Sequence, residues 1–314
     1  MPERVEFLVD GTHVHADLYL PQDMKAGERR PGIVVGHGFS GVRDMLVPQG
    51  TYFSNAGYVT LAIDYRSFGT SGGAVRGEQF PERHMEDLSA GISYLQTRDD
   101  VEHDRIALWG TSFGGAVALG AGARDRRARA VIAQVPIVDG RSWMRGLRDA
   151  EQWEDLLDAI DEDRARRFRG EQSRRIPVSL PFGSRDICAM PTSDDALQFQ
   201  TTMPETWRGD MSMESLEKVL QFNPIATIAQ ISPRPLCIIM NTGYEVIHPM
   251  DAVMKAYANA AEPKRLVLLP YDQLGFYADE GQDAAMGAAL GFLKEVLPVG
   301  STVGGAVPRS RFAS

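Results

Sequence analysis

A serine set between glycines is the strongest sign of chemistry in this sequence. Residues 110–115 read GTSFGG, which places Gly110, Ser112 and Gly114 in a G-x-S-x-G spacing. An apolar run precedes this pattern and a helical stretch follows it, so Ser112 is predicted on a sharp strand-to-helix turn. Such a turn lifts the hydroxyl above the sheet, where the positive end of the helix favours a developing oxyanion. The pattern therefore predicts a nucleophile, with a surface serine on a glycine-rich turn as the alternative.

A second glycine-rich segment, GHGFSG at residues 36–41, also follows an apolar run. A turn of this kind leaves backbone N–H groups directed into a cleft. We therefore expect the N–H groups of Phe39 and Phe113 to form an oxyanion hole beside the serine. His37, within the same segment, is expected to be structural.

Alternating strands and helices must position these two segments. Continuous apolar runs, which are typical of strands buried on both faces, occur at 30–39, 58–65, 105–110, 128–135, 235–240 and 265–270. Residues 13–20 alternate in polarity, which predicts a half-buried edge strand. Helical patterns separate the apolar runs. The sequence therefore predicts a doubly wound, mostly parallel α/β sheet with helices on both faces.

The alternation is interrupted between residues 137 and 222. Residues 149–170 predict an amphipathic helix, and the rest of this segment is rich in Met and Trp. We predict a helical cap over 137–222, inserted into a core formed by 1–136 and 223–298, with a flexible tail over 299–314. Large cap side chains that face inward would suit a bulky apolar ligand, although packing of cap on core explains them equally well.

Composition and charge limit the kinds of molecule that this protein is expected to bind. The chain has 314 residues, 43% of them apolar, with a net charge of −9 and a pI of about 5.2, so nucleic-acid or membrane-surface binding is not expected. Neither Cys188 nor Cys237 has a metal-ligand spacing, and no phosphate- or dinucleotide-binding pattern is present, so we predict no cofactor and no metal. The sequence shows no signal peptide or membrane-spanning run, which by default predicts a cytoplasmic location. Homodimer formation is left open.

The motifs, taken in order, resemble those of the α/β-hydrolase superfamily, in particular its capped esterase, dienelactone-hydrolase and polyketide-processing branch. The matching pieces are HGF (37–39), DYRSFGTSGG (64–73), GTSFGG (110–115), ISPRPLCII (231–239), EVIHP (245–249) and EPKRLVLLP (262–270). The resemblance implies the α/β-hydrolase fold and a triad in the chain order nucleophile, acid, histidine. It implies much less about substrate, because fold does not fix function.

The same resemblance exposes a departure from the family pattern. It assigns the acid to Glu245, four residues before Pro249, where relatives usually carry Asp. When Tyr277 is matched to the tyrosine of the family's histidine motif, the histidine position is occupied by Gln273. Glutamine cannot accept and return a proton near neutral pH. The resemblance therefore implies an atypical catalytic triad.

Two other residues are candidates for the base. His248 is the only histidine after Ser112, and it lies three residues after Glu245. Relatives often carry a histidine there in addition to the catalytic one, which favours a structural role. Asp272, beside Gln273, would serve as a base if the cap desolvated its carboxylate and raised its pKa.

Three functions remain open on these residues. A serine hydrolase acting on an ester, thioester or lactone of a bulky apolar small molecule is favoured by the intact turn at Ser112, and acyl transfer to another alcohol is a variant of it. A non-hydrolytic lyase or cyclase, or a ligand-binding pseudoenzyme on the same fold, is favoured by the missing histidine. The sequence predicts the first, with the others as alternatives.

Overall fold

The computed structural model describes residues 1–243, 246–272 and 274–300. The predicted acid Glu245 and the residue at the histidine position, Gln273, lie outside the described residues. Tyr244 and positions 301–314, which make up most of the predicted tail, lie outside them as well.

Ten strands are found in the described part of the chain. They are β1 (Glu3–Val9), β2 (Thr12–Tyr19), β3 (Arg30–Gly36), β4 (Val59–Ile63), β5 (Val101–Thr111), β6 (Ala128–Gln134), β7 (Arg175–Pro177), β8 (Asp210–Ser212), β9 (Leu236–Asn241) and β10 (Lys264–Leu269). Eight of them form one sheet in the order β1-β2-β4-β3-β5-β6-β9-β10. From β4 to β10 every pairing in this sheet is parallel, whereas β2 is antiparallel to both β1 and β4. The predicted doubly wound, mostly parallel sheet is confirmed.

Nine α-helices accompany these strands within the described ranges. They are α1 (Val47–Asn55), α2 (Pro81–Gln96), α3 (Phe113–Arg124), α4 (Gly140–Gly146), α5 (Ala150–Phe168), α6 (Asp194–Gln200), α7 (Met213–Leu220), α8 (Met250–Asn259) and α9 (Asp279–Val296). Helix α1 contacts α9, whereas α2 contacts α3. Right-handed crossovers place these two pairs on opposite faces, because the chain moves one way along the sheet through α1 and the other way through α2 and α3. None of the helices described is long and apolar enough to span a bilayer.

The two ends of the sheet differ from the prediction. Strand β2 was expected at an edge, but β1 covers it through a hairpin at Asp10 and Gly11, both with positive φ. An Asp-Gly pair between alternating residues is a hairpin signal, so β1 was detectable from the sequence. Strand β10 was expected to be buried on both faces, but it is the opposite edge, and Leu268 is 49% exposed. An apolar run does not distinguish a central strand from an edge strand.

The central strands carry the core. All residues of β3, β4 and β9 are buried, as the apolar runs predicted. Their carboxyl ends, with those of β5 and β6, lie along one edge of the sheet, where open α/β sheets bind ligands.

Residues 137–222, here called the insert, contain α4 to α7 and a small antiparallel sheet formed by β7 and β8. Helix α7 contacts both α4 and α5. The N–H of Gly140 donates to the carbonyl of Phe222 over 2.9 Å, so the two ends of the insert meet. Asp149 and Gln152 form a capping box that fixes the start of α5.

Candidate active site

Ser112 stands between the end of β5 and the start of α3. Its φ of 55° and ψ of −125° are values that residues with a side chain rarely adopt. A Cβ atom on Gly110 would collide with the carbonyl of Gly114, and one on Gly114 would collide with the carbonyl of His37. The glycine spacing is therefore required by close backbone contacts around a strained serine.

The end of β6 holds this turn in place. The N–H of Ser112 donates to the Gln134 carbonyl over 2.8 Å, and the N–H of Ile137 donates to the Ser112 carbonyl over 3.3 Å. Between these two contacts Val135 has a φ of 39°, which is an outlier for a β-branched residue. Two strained positions thus support each other, and the serine hydroxyl is presented half-buried at the sheet edge.

His248 contacts the serine directly. It lies on the loop between β9 and α8, is only 3% exposed, and its Nε2 is 2.9 Å from Ser112 Oγ. The resemblance had favoured a structural role for it, because relatives often carry a histidine there in addition to the catalytic one. The observed contact instead has the distance that a general base requires.

Asp272 lacks the environment that the sequence analysis required of a base. Its side chain is exposed, and Oδ1 accepts the N–H of Gly275 over 2.8 Å at the start of a short 3₁₀ turn, Gly275–Tyr277. The desolvation on which this role depended is not observed, because the Asp272 side chain is exposed.

The glycine-rich segment after β3 forms a tight turn against the serine. The N–H of Gly41 donates to the Gly38 carbonyl over 3.1 Å, and a Cβ atom on Gly38 would lie 3.3 Å from Ser112 Cβ. Within the described residues, the N–H groups of Phe39 and Phe113 have no hydrogen-bond partner. The two N–H groups predicted for the oxyanion hole are thus unpaired in the described part of the chain, on the residue after Ser112 and in the turn that packs against it.

His37 lies beneath this turn. Its Nδ1 donates to the Gly38 carbonyl over 3.0 Å, and its Nε2 accepts the N–H of Tyr65 over 3.4 Å. Complete burial lowers the pKa of His37 from 6.5 to about 4, with Asp64 opposing the shift, so the ring is neutral at pH 7. This agrees with the structural role expected for it.

Tyr277, Thr111 and Gln134 form a series of side-chain hydrogen bonds next to Ser112 that was not predicted from the sequence. The Tyr277 hydroxyl is 2.9 Å from Thr111 Oγ1, which also accepts from Gln134 Nε2 over 3.3 Å. The Tyr277 ring lies 6.4 Å from the His248 ring, centroid to centroid. Tyr277 served only to align the histidine motif in the sequence, and no local pattern links it to Thr111.

Aromatic side chains surround the Phe39 side of the site. The Phe39 ring packs edge-on against Trp143 at 5.2 Å and against Phe113 at 5.6 Å, and Phe113 packs against Phe222 at 5.4 Å. Trp143 and Phe222 belong to the insert. The insert therefore contributes an apolar wall next to the two free N–H groups.

Comparison with known proteins shows the family to which the chain belongs. A family model described as X-Pro dipeptidyl-peptidase (S15 family) matches residues 10–271. The thiohydrolase aneE of Aspergillus aculeatus is 28% identical over 310 residues, 93% of each chain. An uncharacterized 31.7 kDa protein of Escherichia coli is 33% identical over 226 residues, 71% of this chain and 75% of its own.

Solved structures agree with these sequence matches. The crystal structure of the α/β-hydrolase GrgF from Penicillium has a TM-score of 0.79 and 25% identity, covering 95% of this chain and 99% of that one. The predicted α/β-hydrolase fold is thereby confirmed.

Proposed function

Because this chain belongs to the X-Pro dipeptidyl-peptidase (S15) family of enzymes, we propose that it is a serine-dependent acyl hydrolase whose general base is His248. The observation that carries the proposal is the 2.9 Å contact between His248 Nε2 and Ser112 Oγ. A base must lie within hydrogen-bond reach of the proton it removes, and this contact meets that requirement without a histidine at position 273.

The proposed reaction has two halves. Ser112 Oγ attacks the carbonyl carbon of an ester, thioester or lactone while His248 Nε2 takes the hydroxyl proton. The N–H groups of Phe39 and Phe113 and the positive end of α3 stabilise the tetrahedral oxyanion. His248 then gives its proton to the leaving oxygen or sulfur, and it activates water to hydrolyse the acyl-enzyme in the second half.

Glu245 is the proposed acid. It precedes His248 by three residues in the loop between β9 and α8. A carboxylate that accepts from Nδ1 would leave Nε2 free to take the serine proton and would stabilise the imidazolium that forms. In this arrangement one loop supplies both the acid and the base, and the loop after β10 supplies neither.

The aromatic wall formed by Phe39, Trp143 and Phe222 supports a bulky apolar acyl group as the substrate. The names of the relatives favour a thioester: one is called a thiohydrolase and another, 28% identical over 250 residues, a polyketide transferase. Acyl transfer to an alcohol is therefore a second candidate, since it uses the same acyl-enzyme and differs only in the acceptor.

The alternatives without an acyl-enzyme, namely a lyase, a cyclase or a ligand-binding pseudoenzyme, rested on the missing histidine. The contact between His248 and Ser112 weakens that reason, because it supplies a proton acceptor at the nucleophile from another loop. We therefore favour the acyl-enzyme mechanism.

Labelling with a fluorophosphonate followed by intact-mass measurement tests the proposal. The wild type is expected to gain one adduct quickly, Ser112→Ala none, and His248→Ala one only very slowly. His103→Ala is a matched control, because His103 is an exposed histidine bonded to the Arg98 carbonyl. It should label like the wild type.

Absence of labelling in the wild type would contradict the proposal. If the wild type stays unlabelled and Gln273→His becomes labelled, the serine lacks a working base and the alternatives without an acyl-enzyme gain support.

Adding an alcohol to a thioester assay separates the two acyl-enzyme functions. A transferase would form the new ester faster than it releases the free acid.

A further inference from the structure

Gln79 is a buried residue that the proposed mechanism does not use. It lies in the segment before α2, and its side chain is fully buried. Its Oε1 accepts the N–H of Ser40 over 2.9 Å, and Ser40 is part of the turn that presents the N–H of Phe39. Gln79 therefore makes direct contact with one side of the oxyanion hole, although 39 residues separate it from Ser40 in sequence.

The turn needs this support because one of its residues is strained. Ser40 has a φ of 52°, and a positive φ at the third residue is typical of a type II turn, where glycine is preferred. A serine in this conformation is strained, because its side chain disfavours positive φ. If the contact with Gln79 were lost, rotation of the peptide between Phe39 and Ser40 would relieve that strain and loosen the turn.

The same turn fixes the direction of the catalytic N–H. The Gly38 carbonyl accepts from the N–H of Gly41 and from His37 Nδ1. Since the C=O and N–H of a trans peptide point in opposite directions, the N–H of Phe39 points away from these two donors. A change in the turn would therefore move this N–H relative to Ser112 Oγ.

The orientation of the Gln79 amide is determined by a buried histidine. Gln79 Nε2 is 3.2 Å from His84 Nδ1, and His84 Nε2 is 3.3 Å from the Glu78 carbonyl. A carbonyl can only accept, so His84 Nε2 carries the hydrogen and Nδ1 accepts from the amide. Burial holds the pKa of His84 well below 6.5, which keeps the ring neutral. Gln79 Oε1 is thus left to face Ser40.

The backbone of Gln79 connects this arrangement to the insert. Its N–H donates to Ser215 Oγ over 2.9 Å, and Ser215 lies on α7. Ser215 Oγ also lies 2.8 Å from Ser212 Oγ and 3.3 Å from the Gly77 carbonyl, and both serines are fully buried. A continuous path therefore runs from the insert through Gln79 to the oxyanion turn.

We propose that Gln79 is a positioning residue for the oxyanion hole and that it couples the hole to the packing of α7. This inference rests on the proposed acyl-enzyme function. It goes beyond that function because it assigns a catalytic consequence to a residue that touches neither substrate nor Ser112. An insert that is correctly packed stabilises the turn, and the turn presents the N–H of Phe39.

The experiment compares Gln79→Met, which keeps the length but removes the acceptor, with Gln79→Glu, which keeps an acceptor for the N–H of Ser40. The readouts are kcat and KM on a p-nitrophenyl ester and the affinity for an alkyl trifluoromethyl ketone, whose serine adduct places an oxyanion in the hole. Loss of a whole oxyanion donor costs about 10²–10³-fold. We expect Gln79→Met to lower kcat/KM and ketone affinity in parallel, each by roughly 10- to 100-fold, with KM little changed.

Three controls separate positioning from general instability. Gln49→Met makes the same chemical change at another buried glutamine, whose Oε1 has no hydrogen-bond partner among the described residues, and it should leave both quantities unchanged. Gln79→Glu should recover most of the loss. Ser215→Ala, a milder change that also serves if Gln79→Met fails to fold, should give a smaller loss in the same two quantities.

The outcomes distinguish this inference from the proposed function. A wild type that neither labels with fluorophosphonate nor binds the ketone would overturn both. A wild type that does both, with folded Gln79→Met and Ser215→Ala keeping full ketone affinity, would overturn only the role of Gln79. Equal losses in Gln79→Met and Gln79→Glu would also overturn it, because the acceptor would then not be the cause.

Discussion

Two histidines flank Ser112, one on each side, and they have different environments. His37 belongs to the turn after β3, where both ring nitrogens bond to the backbone and burial lowers its pKa to about 4. His248 belongs to the loop after β9, where Nε2 lies 2.9 Å from the serine hydroxyl. The first ring supports the glycine-rich turn beside Ser112, and the second lies within hydrogen-bond distance of the serine hydroxyl.

The difference shows that the role of a histidine depends on the partners of its two nitrogens rather than on its distance from a motif in sequence. His37 lies directly in a glycine-rich motif but has no nitrogen left for chemistry. His248 follows Ser112 by 136 residues, yet one of its nitrogens contacts the serine hydroxyl. The contrast predicts different consequences when each ring is changed.

Removing the imidazole of His248 should have the largest effect on turnover. His248→Ala is expected to lower kcat for ester hydrolysis by about 10⁴- to 10⁶-fold, because a serine without its base retains only the contribution of the oxyanion hole and binding. Steady-state kinetics measure the loss, with His103→Ala as the unaffected control. A loss of less than tenfold would mean that another group takes the proton.

Substitution of His37 should affect stability rather than turnover. The pKa of His37 is lower in the folded protein than in the unfolded chain. Below pH 6.5 the unfolded chain therefore binds a proton that the folded protein does not bind until the pH approaches 4. The free energy of unfolding is therefore fully retained above pH 6.5 and falls as the pH drops toward 4. His37 should account for about 3 kcal/mol of this loss, and buried His84 acts in the same direction.

Urea unfolding at pH 6.5 and at pH 4.5 checks this expectation. The pH dependence of His37→Asn should be shallower than that of the wild type, because Asn does not titrate. His103→Asn makes the same chemical change at an exposed histidine and serves as the matched substitution for comparison. Parallel curves for the wild type and His37→Asn would contradict the assignment.

Removing the hydroxyl of Tyr277, whose ring lies near His248, should have a moderate effect on turnover. Its contact with Thr111, the residue before Ser112, fixes the 3₁₀ turn Gly275–Tyr277, and its ring lies 6.4 Å from the His248 ring. We expect Tyr277→Phe to lower kcat by roughly tenfold, close to the value of one hydrogen bond, and Thr111→Val to do the same. The double variant should be no worse than either single one if the two hydroxyls act only on each other.

Tyr58→Phe is the matched control, because its buried hydroxyl donates to the Leu297 carbonyl far along the chain. It should lower the melting temperature while leaving kcat unchanged. Similar kinetic losses in both tyrosine variants would point to general destabilisation rather than to a local effect of Tyr277.

Asp272→Asn should have the smallest effect. The carboxylate is exposed and accepts only from the N–H of Gly275 in the described structure, and an amide oxygen preserves that contact. We expect kcat to change by less than about twofold, since exposed charges contribute little. A large loss, measured beside His248→Ala, would restore Asp272 as a candidate base.

The strained turn at Ser112 and the strand pattern were predictable because their causes are local. Gly110, Ser112 and Gly114 follow from contacts within one turn, and the apolar runs of β3, β4 and β9 follow from burial on both faces. The N–H groups of Phe39 and Phe113, which have no hydrogen-bond partner among the described residues, were predicted to be unpaired for the same reason, since each follows directly from a turn.

Features that depend on which segments become neighbours were not predictable. The apolar run of β10 is compatible with a central strand as well as with the edge that the sheet order gives it. Gln79 precedes a helix in sequence, and only the fold brings it to Ser40 and Ser215. The same holds for His248: it contacts Ser112 because the sheet order places β9 two strands from β5, and residue spacing does not specify that order.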